Sequence, residues 1–153
     1  SIVKRKTTGI KLSKENIFKL EDLKVAVKGK DFVVNLLPET GSTGKLYNQD
    51  IFSAMEKHSF FINLGRGGAV DETHLALALQ QEEIAGAGLD VFENEPLRND
   101  SKLLELENVI LTPHVAGLGN NYWEKALPII IENLINFIQG KPLTNIVDMS
   151  RGY

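Results

Sequence analysis

The sequence has no cysteine among its 153 residues, and this absence removes two classes of small protein. Without thiols, the chain cannot form a disulfide framework or a thiolate zinc site. Its histidines (His58, His74 and His114) also lack the spacing of metal ligands, so we expect no metal site. The composition is compatible with a reducing compartment, and we expect a cytoplasmic location.

Long apolar runs and a basic excess are missing as well. The run Ile129-Ile130-Ile131 is far too short to span a bilayer, and residues 1–6 are too short and too charged for a signal peptide. The formal net charge is −3, without the basic stripe that nucleic-acid binding needs. We therefore expect neither a membrane nor a nucleic-acid partner, and the composition is typical of a globular enzyme or binding module.

Short β-rich apolar runs alternate with helix-like segments, which is the pattern of a parallel α/β sheet. Strands are predicted at residues 2–3, 32–37, 60–64, 85–91 and 108–112. Helices are predicted at residues 48–57, from Asp71 onward, and at 121–139, where Pro128 should produce a kink. Ligands bind such sheets beyond the carboxyl ends of the strands. This rule selects the segments 5–8, 37–43, 64–67, 90–96 and 112–117.

Three of these segments carry side chains suited to chemistry. Arg66 lies among glycines, where a bare backbone can approach a ligand and the guanidinium matches a carboxylate. Glu95 lies beyond the strand that ends at Asp90, and His114 follows the last predicted strand; a carboxylate beside an imidazole is suited to proton transfer near neutral pH. Taken singly, each also fits a plainer interpretation as a surface arginine, a solvated acidic loop or an exposed histidine.

Together these blocks resemble, in order and spacing, the signature of the D-isomer-specific 2-hydroxyacid dehydrogenases. The matching blocks are Asn35 to Thr43, Asn63 to Asp71 with Leu75, Gly86 to Pro96, and Thr112 to Gly117. The closing Val147 to Tyr153, and Asn35-Leu36-Leu37-Pro38 without a histidine, are similar to the glyoxylate/hydroxypyruvate reductase branch. The resemblance implies an oxidoreductase that transfers a hydride between NAD(P)H and a small 2-oxo acid or D-2-hydroxy acid, usually as a homodimer.

The resemblance also implies roles for individual residues. Arg66 would bind the substrate's carboxylate and carbonyl, His114 would donate the proton, and Glu95 would keep the imidazole protonated. Asp90 would contact the nicotinamide amide, while Leu37 and Pro38 would form the wall beside the adenine and its ribose. The implied cofactor-binding residues are Arg5, Lys6, Thr7, Leu37, Pro38, Thr43, Leu64, Gly65, Arg66, Asp90, His114 and Gly117.

The chain departs from the family in lacking the Gly-x-Gly-x-x-Gly loop that grips the pyrophosphate. Gly117-Leu118-Gly119 has no third glycine and follows the histidine motif, which is the wrong context. We therefore predict an α/β fold: a partial doubly wound, Rossmann-type parallel sheet without its first βα unit, with a long C-terminal helix. Residues 1–153 would be a fragment of the NAD(P)-binding domain, inactive alone, with about 141–153 as a tail returning to an absent substrate domain.

The basic run Lys4-Arg5-Lys6, followed by Thr7, lies where the second Rossmann strand would end. An acidic residue there would favour NAD, whereas a nearby arginine accommodates the 2′-phosphate of NADP, so we favour NADP. A disordered basic terminus is the competing interpretation.

Two other functions remain open at this point. One is a cofactor-sensing interaction protein on the same fold with a relic active site, because a fold alone does not determine function. The other is a non-catalytic nucleotide-binding module of another doubly wound family. The presence of Arg66, Glu95 and His114 together favours the enzyme, since a relic needs none of them.

The long helix could likewise face a partner subunit or form part of the core, and its amphipathic stripe favours the core.

Overall fold

The computed structural model describes residues 2–3 and 17–149, in two compact units, Ser1–Pro113 and His114–Tyr153. Arg5, Lys6 and Thr7 lie outside the described residues, so their part in cofactor binding stays a prediction. So does the assignment of the whole chain to one domain with a tail from about 141.

Parallel strands form the first unit. A two-stranded sheet pairs β1 (Ile2–Val3) with β2 (Ile17–Phe18). A four-stranded sheet contains, in this order, β3 (Phe32–Asn35), β4 (Phe60–Asn63), β5 (Gly86–Leu89) and β6 (Val109–Leu111). The helices of this unit are α1 (Leu23–Ala26), α2 (Gln49–Phe52) and α3 (Glu72–Gln80). The predicted parallel α/β sheet is confirmed, with each predicted strand present and most of them shorter than expected.

The core lies on one face of the four-stranded sheet. Side chains alternate along a strand, so β4 buries Phe61 and Asn63 while Phe60 points to the other face and is exposed. Phe61 is fully buried, with its ring 4.9 Å from that of Tyr47 and 5.3 Å from that of Phe52. The helices of the unit therefore pack on this face, and the opposite face of the described sheet remains exposed at Phe32, Val34, Phe60 and Ile110.

Helix α3 begins as predicted, whereas α2 ends earlier than predicted. The Asp71 carboxylate accepts a hydrogen bond from the backbone N–H of His74, and Asn48 caps α2 in the same way through Asp50. The prediction that the helix beginning at Asn48 reaches residue 57 is wrong. After Phe52 the backbone N–H of Met55 bonds to the carbonyl three residues earlier, so the chain tightens while Met55 stays buried.

The second unit contains the predicted long helix, α4 (Tyr122–Ile138), with Pro128 inside it. Gly140, with φ of +64°, follows its end, as glycine commonly does. The expectation that its apolar stripe is core is wrong for the described chain, because no residue of α4 is buried. The unit holds no second helix or strand of its own among residues 114–149 on which the stripe could pack. No helix in the described ranges combines the length and apolarity needed to cross a membrane.

Candidate active site at the carboxyl ends of the strands

Three loops that begin at the carboxyl ends of β3, β4 and β5 contain most of the predicted site residues. Because the strands are parallel and in register, Asn35, Asn63 and Leu89 end at the same edge of the sheet. The loops that follow start at Leu36, Leu64 and Asp90. The arginine loop, defined here as residues 64–68, lies in the middle of the three.

A buried pair of asparagines fixes the starts of two of these loops. Asn35 and Asn63 are at most 1% exposed, and the side-chain amide of Asn35 donates to Oδ1 of Asn63 at 2.9 Å. Oδ1 of Asn35 accepts from the N–H of Leu37 at 3.0 Å, and Oδ1 of Asn63 accepts from Gly65 at 3.1 Å. Nδ2 of Asn63 also donates to the carbonyl of Arg66 at 3.2 Å. Sequence reasoning missed this role, although an asparagine at the same place in two apolar strands was a usable signal.

Glycines allow the arginine loop to pack tightly on its neighbours. A Cβ at Gly65 would lie 2.6 Å from the carbonyl oxygen of Leu37, and one at Gly67 would collide with the carbonyl group of Phe92. Arg66, between them, is exposed, and its Nη1 donates to the carbonyl of Gly65 at 2.8 Å. The backbone is thus held on two sides while the guanidinium remains accessible, as binding of a carboxylate requires.

The carboxylates of the third loop differ in burial. Asp90 is 3% exposed, and its Oδ1 accepts from the hydroxyl of Thr112 at 2.6 Å. Glu95 is exposed, and its Oε1 accepts from the N–H of Phe92 at 3.1 Å. Phe92 therefore contacts both Gly67 in the arginine loop and Glu95, the predicted partner of His114.

The predicted cofactor wall is partly buried. Leu37 is half-buried, Pro38 is exposed, and Leu64 is 43% exposed. Thr43 is buried, and its hydroxyl donates to the carbonyl of Pro38 at 2.7 Å and accepts from the N–H of Thr40 at 2.8 Å. Thr43 therefore shapes the turn that holds Pro38. Direct contact of Thr43 with a cofactor stays a prediction.

His114 and Gly117 belong to the second unit. His114 is exposed and has φ of +54°, a left-handed conformation that is uncommon for a residue with a side chain. A Cβ added at Gly117 would meet no atom within 4 Å. The structure thus brings Arg66, Asp90 and Glu95 into one unit, and the pairing of Glu95 with His114 stays a prediction.

A charged cluster of Lys45, Asp71, Glu72 and Glu93 lies beside the arginine loop. Nζ of Lys45 is 3.4 Å from Asp71 and 3.4 Å from Glu93, and the charge of Glu93 raises the pKa of Lys45. Burial, together with the like charge of Glu93, raises the pKa of Glu72. Burial also opposes ionisation of Asp71, yet the hydrogen bond from His74 and the charge of Lys45 outweigh it and lower its pKa. None of these residues was predicted to have a catalytic or binding role, although Glu93 lies in the selected segment 90–96.

Within residues 2–3 and 17–149, no group of three or more histidine, aspartate or glutamate side chains is arranged to hold a metal ion.

Comparison with known proteins places these loops in a family. The family model for the NAD-binding domain of D-isomer specific 2-hydroxyacid dehydrogenases matches residues 2–116. The chain is 43% identical over 127 residues to glyoxylate/hydroxypyruvate reductase B of Citrobacter koseri, covering 83% of this chain and 39% of the relative. The chain therefore spans well under half the length of this curated relative.

Solved structures agree with this assignment. A D-isomer specific 2-hydroxyacid dehydrogenase from Xanthobacter autotrophicus, in complex with NADPH and MES, superposes with a TM-score of 0.85 at 36% identity, covering 99% of this chain and 61% of that one. An NADPH-dependent glyoxylate/hydroxypyruvate reductase from Sinorhizobium meliloti, with NADP and sulfate, gives 0.82 at 30% identity, covering 99% and 48%. The chain belongs to the D-isomer specific 2-hydroxyacid dehydrogenase family, and its residues 2–116 match the model of that family's NAD-binding domain.

Proposed function

We propose that this chain supplies the substrate-binding and proton-transfer residues of an NADPH-dependent reductase acting on small 2-oxo acids such as glyoxylate or hydroxypyruvate. The observation that carries the proposal is the placement of an accessible arginine between two close-packed glycines at the carboxyl edge of a parallel sheet. The Glu95 loop lies beside it through Phe92. The similarity to a glyoxylate/hydroxypyruvate reductase of Citrobacter koseri supports the choice of substrate class.

Each side chain has a distinct part in the proposed reaction. The guanidinium of Arg66 binds the carboxylate of the substrate and polarises its carbonyl, since its planar fork matches both oxygens. His114 donates a proton to the carbonyl oxygen as negative charge develops there. Glu95 favours the protonated imidazole and orients it. The substrate thereby gains a proton on oxygen while carbon is reduced.

The residues at the sheet edge suit the nicotinamide and adenine ends of a nicotinamide dinucleotide, which when bound would supply the hydride. Asp90 would hold the nicotinamide amide, and its buried carboxylate is oriented by Thr112. Leu37 and Pro38 would line the adenine side, with Leu64, Gly65 and Gly117 completing the cofactor-binding set. The printed sequence contains no Gly-x-Gly-x-x-Gly loop, so the grip on the pyrophosphate is not assigned to residues of this chain.

Preference for NADPH is proposed on the basis of Arg5. The Xanthobacter and Sinorhizobium structures contain NADPH and NADP, and the basic run around Arg5 suits a 2′-phosphate. Replacing Arg5 by Ala should raise the KM for NADPH and leave that for NADH nearly unchanged, because only NADPH has that phosphate. Equal losses with both cofactors would remove Arg5 from the cofactor site.

We also propose that the enzyme works as a cytoplasmic homodimer. The family resemblance supports the dimer, and the composition of an ordinary globular protein fits the location. Analytical ultracentrifugation of the active protein tests the first statement, and cell fractionation tests the second. A monomeric active enzyme would contradict the dimer.

The function can be tested in a chimera in which residues 2–116 replace the matching part of the Citrobacter koseri reductase. This range contains Arg66, Glu95 and His114, while the rest of the enzyme comes from the relative. We expect the chimera to oxidise NADPH in the presence of glyoxylate, and the 153-residue chain alone to be inactive, because positioning of the reactants can contribute ~7–11 kcal/mol. A chimera that binds NADPH but turns over no 2-oxo acid would contradict the proposed activity.

A further inference from the structure

Two glutamates without a predicted catalytic or binding role, Glu72 and Glu93, each accept a hydrogen bond from the other's backbone. The N–H of Glu72 donates to Oε1 of Glu93 at 2.9 Å, and the N–H of Glu93 donates to Oε1 of Glu72 at 2.6 Å. The two residues are 21 positions apart in the chain. Glu72 begins α3, directly after the segment that follows the arginine loop, and Glu93 lies between Phe92 and Glu95. The reciprocal bonds therefore tie the far side of the arginine loop to the Glu95 loop.

Lys45 holds this arrangement from a third direction. Its Nζ lies 3.4 Å from Oε2 of Glu93, the oxygen that Glu72 does not use, and 3.4 Å from Asp71. Its backbone N–H donates to the carbonyl of Gly68, in the arginine loop, at 2.8 Å. Lys45 thus contacts the arginine loop through its main chain, and Glu93 and Asp71 through its side chain.

Stability alone is a weak explanation for this lysine. Its side chain is 58% exposed, and exposed ion pairs contribute little to folding free energy. The carboxylates of Glu72 and Glu93 lie close together, and Glu72 is half-buried. They repel each other, and this repulsion favours a cation beside them. The ammonium group of Lys45 therefore allows the charged Glu72 and Glu93 to hold the arginine loop and the Glu95 loop at a fixed separation.

The same segment contacts the residues proposed to act on the substrate. Phe92, next to Glu93, is the residue against which Gly67 packs, and its N–H bonds to Glu95. A shift of Glu93 would move Phe92 and, with it, both the backbone beside Arg66 and the carboxylate of Glu95. In catalysis, a misplacement of about 1 Å can cost ~100-fold in rate.

We propose that Lys45, Glu72 and Glu93 form a clasp that positions the Arg66 loop and the Glu95 loop relative to each other, so that Arg66 can bind the substrate carboxylate. Lys45, Glu72 and Glu93 are positioning residues and do not touch the substrate. This inference rests on the proposed role of Arg66.

Amide hydrogen exchange of the 153-residue chain tests the positioning directly. The N–H groups of Ala69 and Val70, bonded to the carbonyls of Arg66 and Gly67 at 3.3 and 2.9 Å, report on the loop. We expect these amides to exchange about tenfold faster in Lys45→Met and in Glu93→Ala than in the wild type. Lys45→Arg keeps the charge, so its amides should exchange as slowly as those of the wild type. Unchanged loop exchange in Lys45→Met, or an equal increase at core amides of β4, overturns the clasp.

Lys24→Met is the matched control. Its side chain is as exposed as that of Lys45, and its Nζ is 3.3 Å from the more exposed Asp50, in a pair that joins α1 and α2 rather than the arginine loop. Removing this ammonium should leave the exchange of Ala69 and Val70 unchanged. An increase as large as that of Lys45→Met would show that any lost surface pair loosens the loop, and would also overturn the clasp.

Steady-state kinetics of the chimera give the second readout. In Lys45→Met, the KM for glyoxylate should rise about tenfold while the KM for NADPH changes less than about twofold, because the guanidinium of Arg66 binds the substrate carboxylate. Lys45→Arg should recover most of the loss. Arg66→Lys separates the two proposals. If it leaves the KM for glyoxylate unchanged, the proposed function fails; if it raises that KM and Lys45→Met does not, only the clasp fails.

Discussion

The two units of this chain contain the same kinds of residue and use them differently. In the first unit, apolar side chains such as Phe61 are fully buried, glycines are pressed against other backbone, and Asp71 caps a helix by a hydrogen bond. In the second unit α4 is richly apolar, yet none of its residues is buried, Gly117 has open space around it, and Asn121 makes no capping bond. The sequence pattern predicts helices in both units. Apolar, glycine and capping residues become important for stability only where tertiary contacts form around them.

The largest contrast should come from two phenylalanines. Phe61→Ala removes a fully buried ring that packs on Tyr47 and Phe52, and should cost about 3–5 kcal/mol of unfolding free energy. Phe137→Ala removes a ring that is 72% exposed and should change stability by less than about 0.5 kcal/mol. Urea unfolding of the 153-residue chain measures both. Comparable losses would show that α4 is buried in solution.

A second comparison of stability between the two units uses one glycine from each, Gly67 and Gly117. Gly67→Ala places a methyl group against the carbonyl of Phe92, so the arginine loop must shift, at a cost of about 1–3 kcal/mol. Gly117→Ala meets no neighbouring atom within 4 Å and should be nearly neutral. Thermal unfolding ranks the two variants. If Gly67→Ala is as stable as the wild type, the loop does not pack on Phe92 as described.

The helix caps should show the smallest difference. Asp71→Ala removes the carboxylate that accepts from His74 at 3.2 Å and should destabilise by about 1 kcal/mol, while Asp71→Asn should retain most of the capping. Asn121→Ala removes no capping bond from α4 and should have almost no effect. Chemical denaturation followed by circular dichroism resolves differences of this size. A larger loss at Asn121 than at Asp71 would reverse the assignment of the caps.

Local signals explain what could be predicted from the sequence. The caps Asn48 and Asp71 were predictable because a capping side chain acts within three residues of itself. The sheet was predictable because short apolar runs alternate with helical segments. The early end of α2 was not, since Met55 continues the apolar face of a helix although the backbone there has already tightened. The short elements β2 and α1, of two and four residues, offer too little periodicity to detect.

The placement of the candidate residues at the sheet edge was predictable to the extent that it depends on position along the chain. The rule that ligands bind beyond strand ends located Arg66, Asp90 and Glu95 correctly at one edge of the sheet. The supporting contacts join residues that are far apart, such as Asn35 with Asn63 and Glu72 with Glu93. The shared position of Asn35 and Asn63 in two apolar strands is a signal for the first pair. Nothing in the sequence spacing predicts the second pair, because it depends on how two loops meet.

Steady-state kinetics of the chimera with glyoxylate and NADPH show whether Arg66 and His114 act on a 2-oxo acid. Arg66→Lys keeps the charge but loses the fork, so both KM for glyoxylate and kcat should suffer. His114→Ala should lower kcat by about 10²–10⁴-fold with a smaller effect on KM, because proton donation matters chiefly in the transition state. The matched controls Arg98→Lys, in an exposed pair with Asp100, and His58→Ala, beside Asp31, should behave as wild type. An unchanged KM for glyoxylate in Arg66→Lys, or an unchanged kcat in His114→Ala, would contradict these roles.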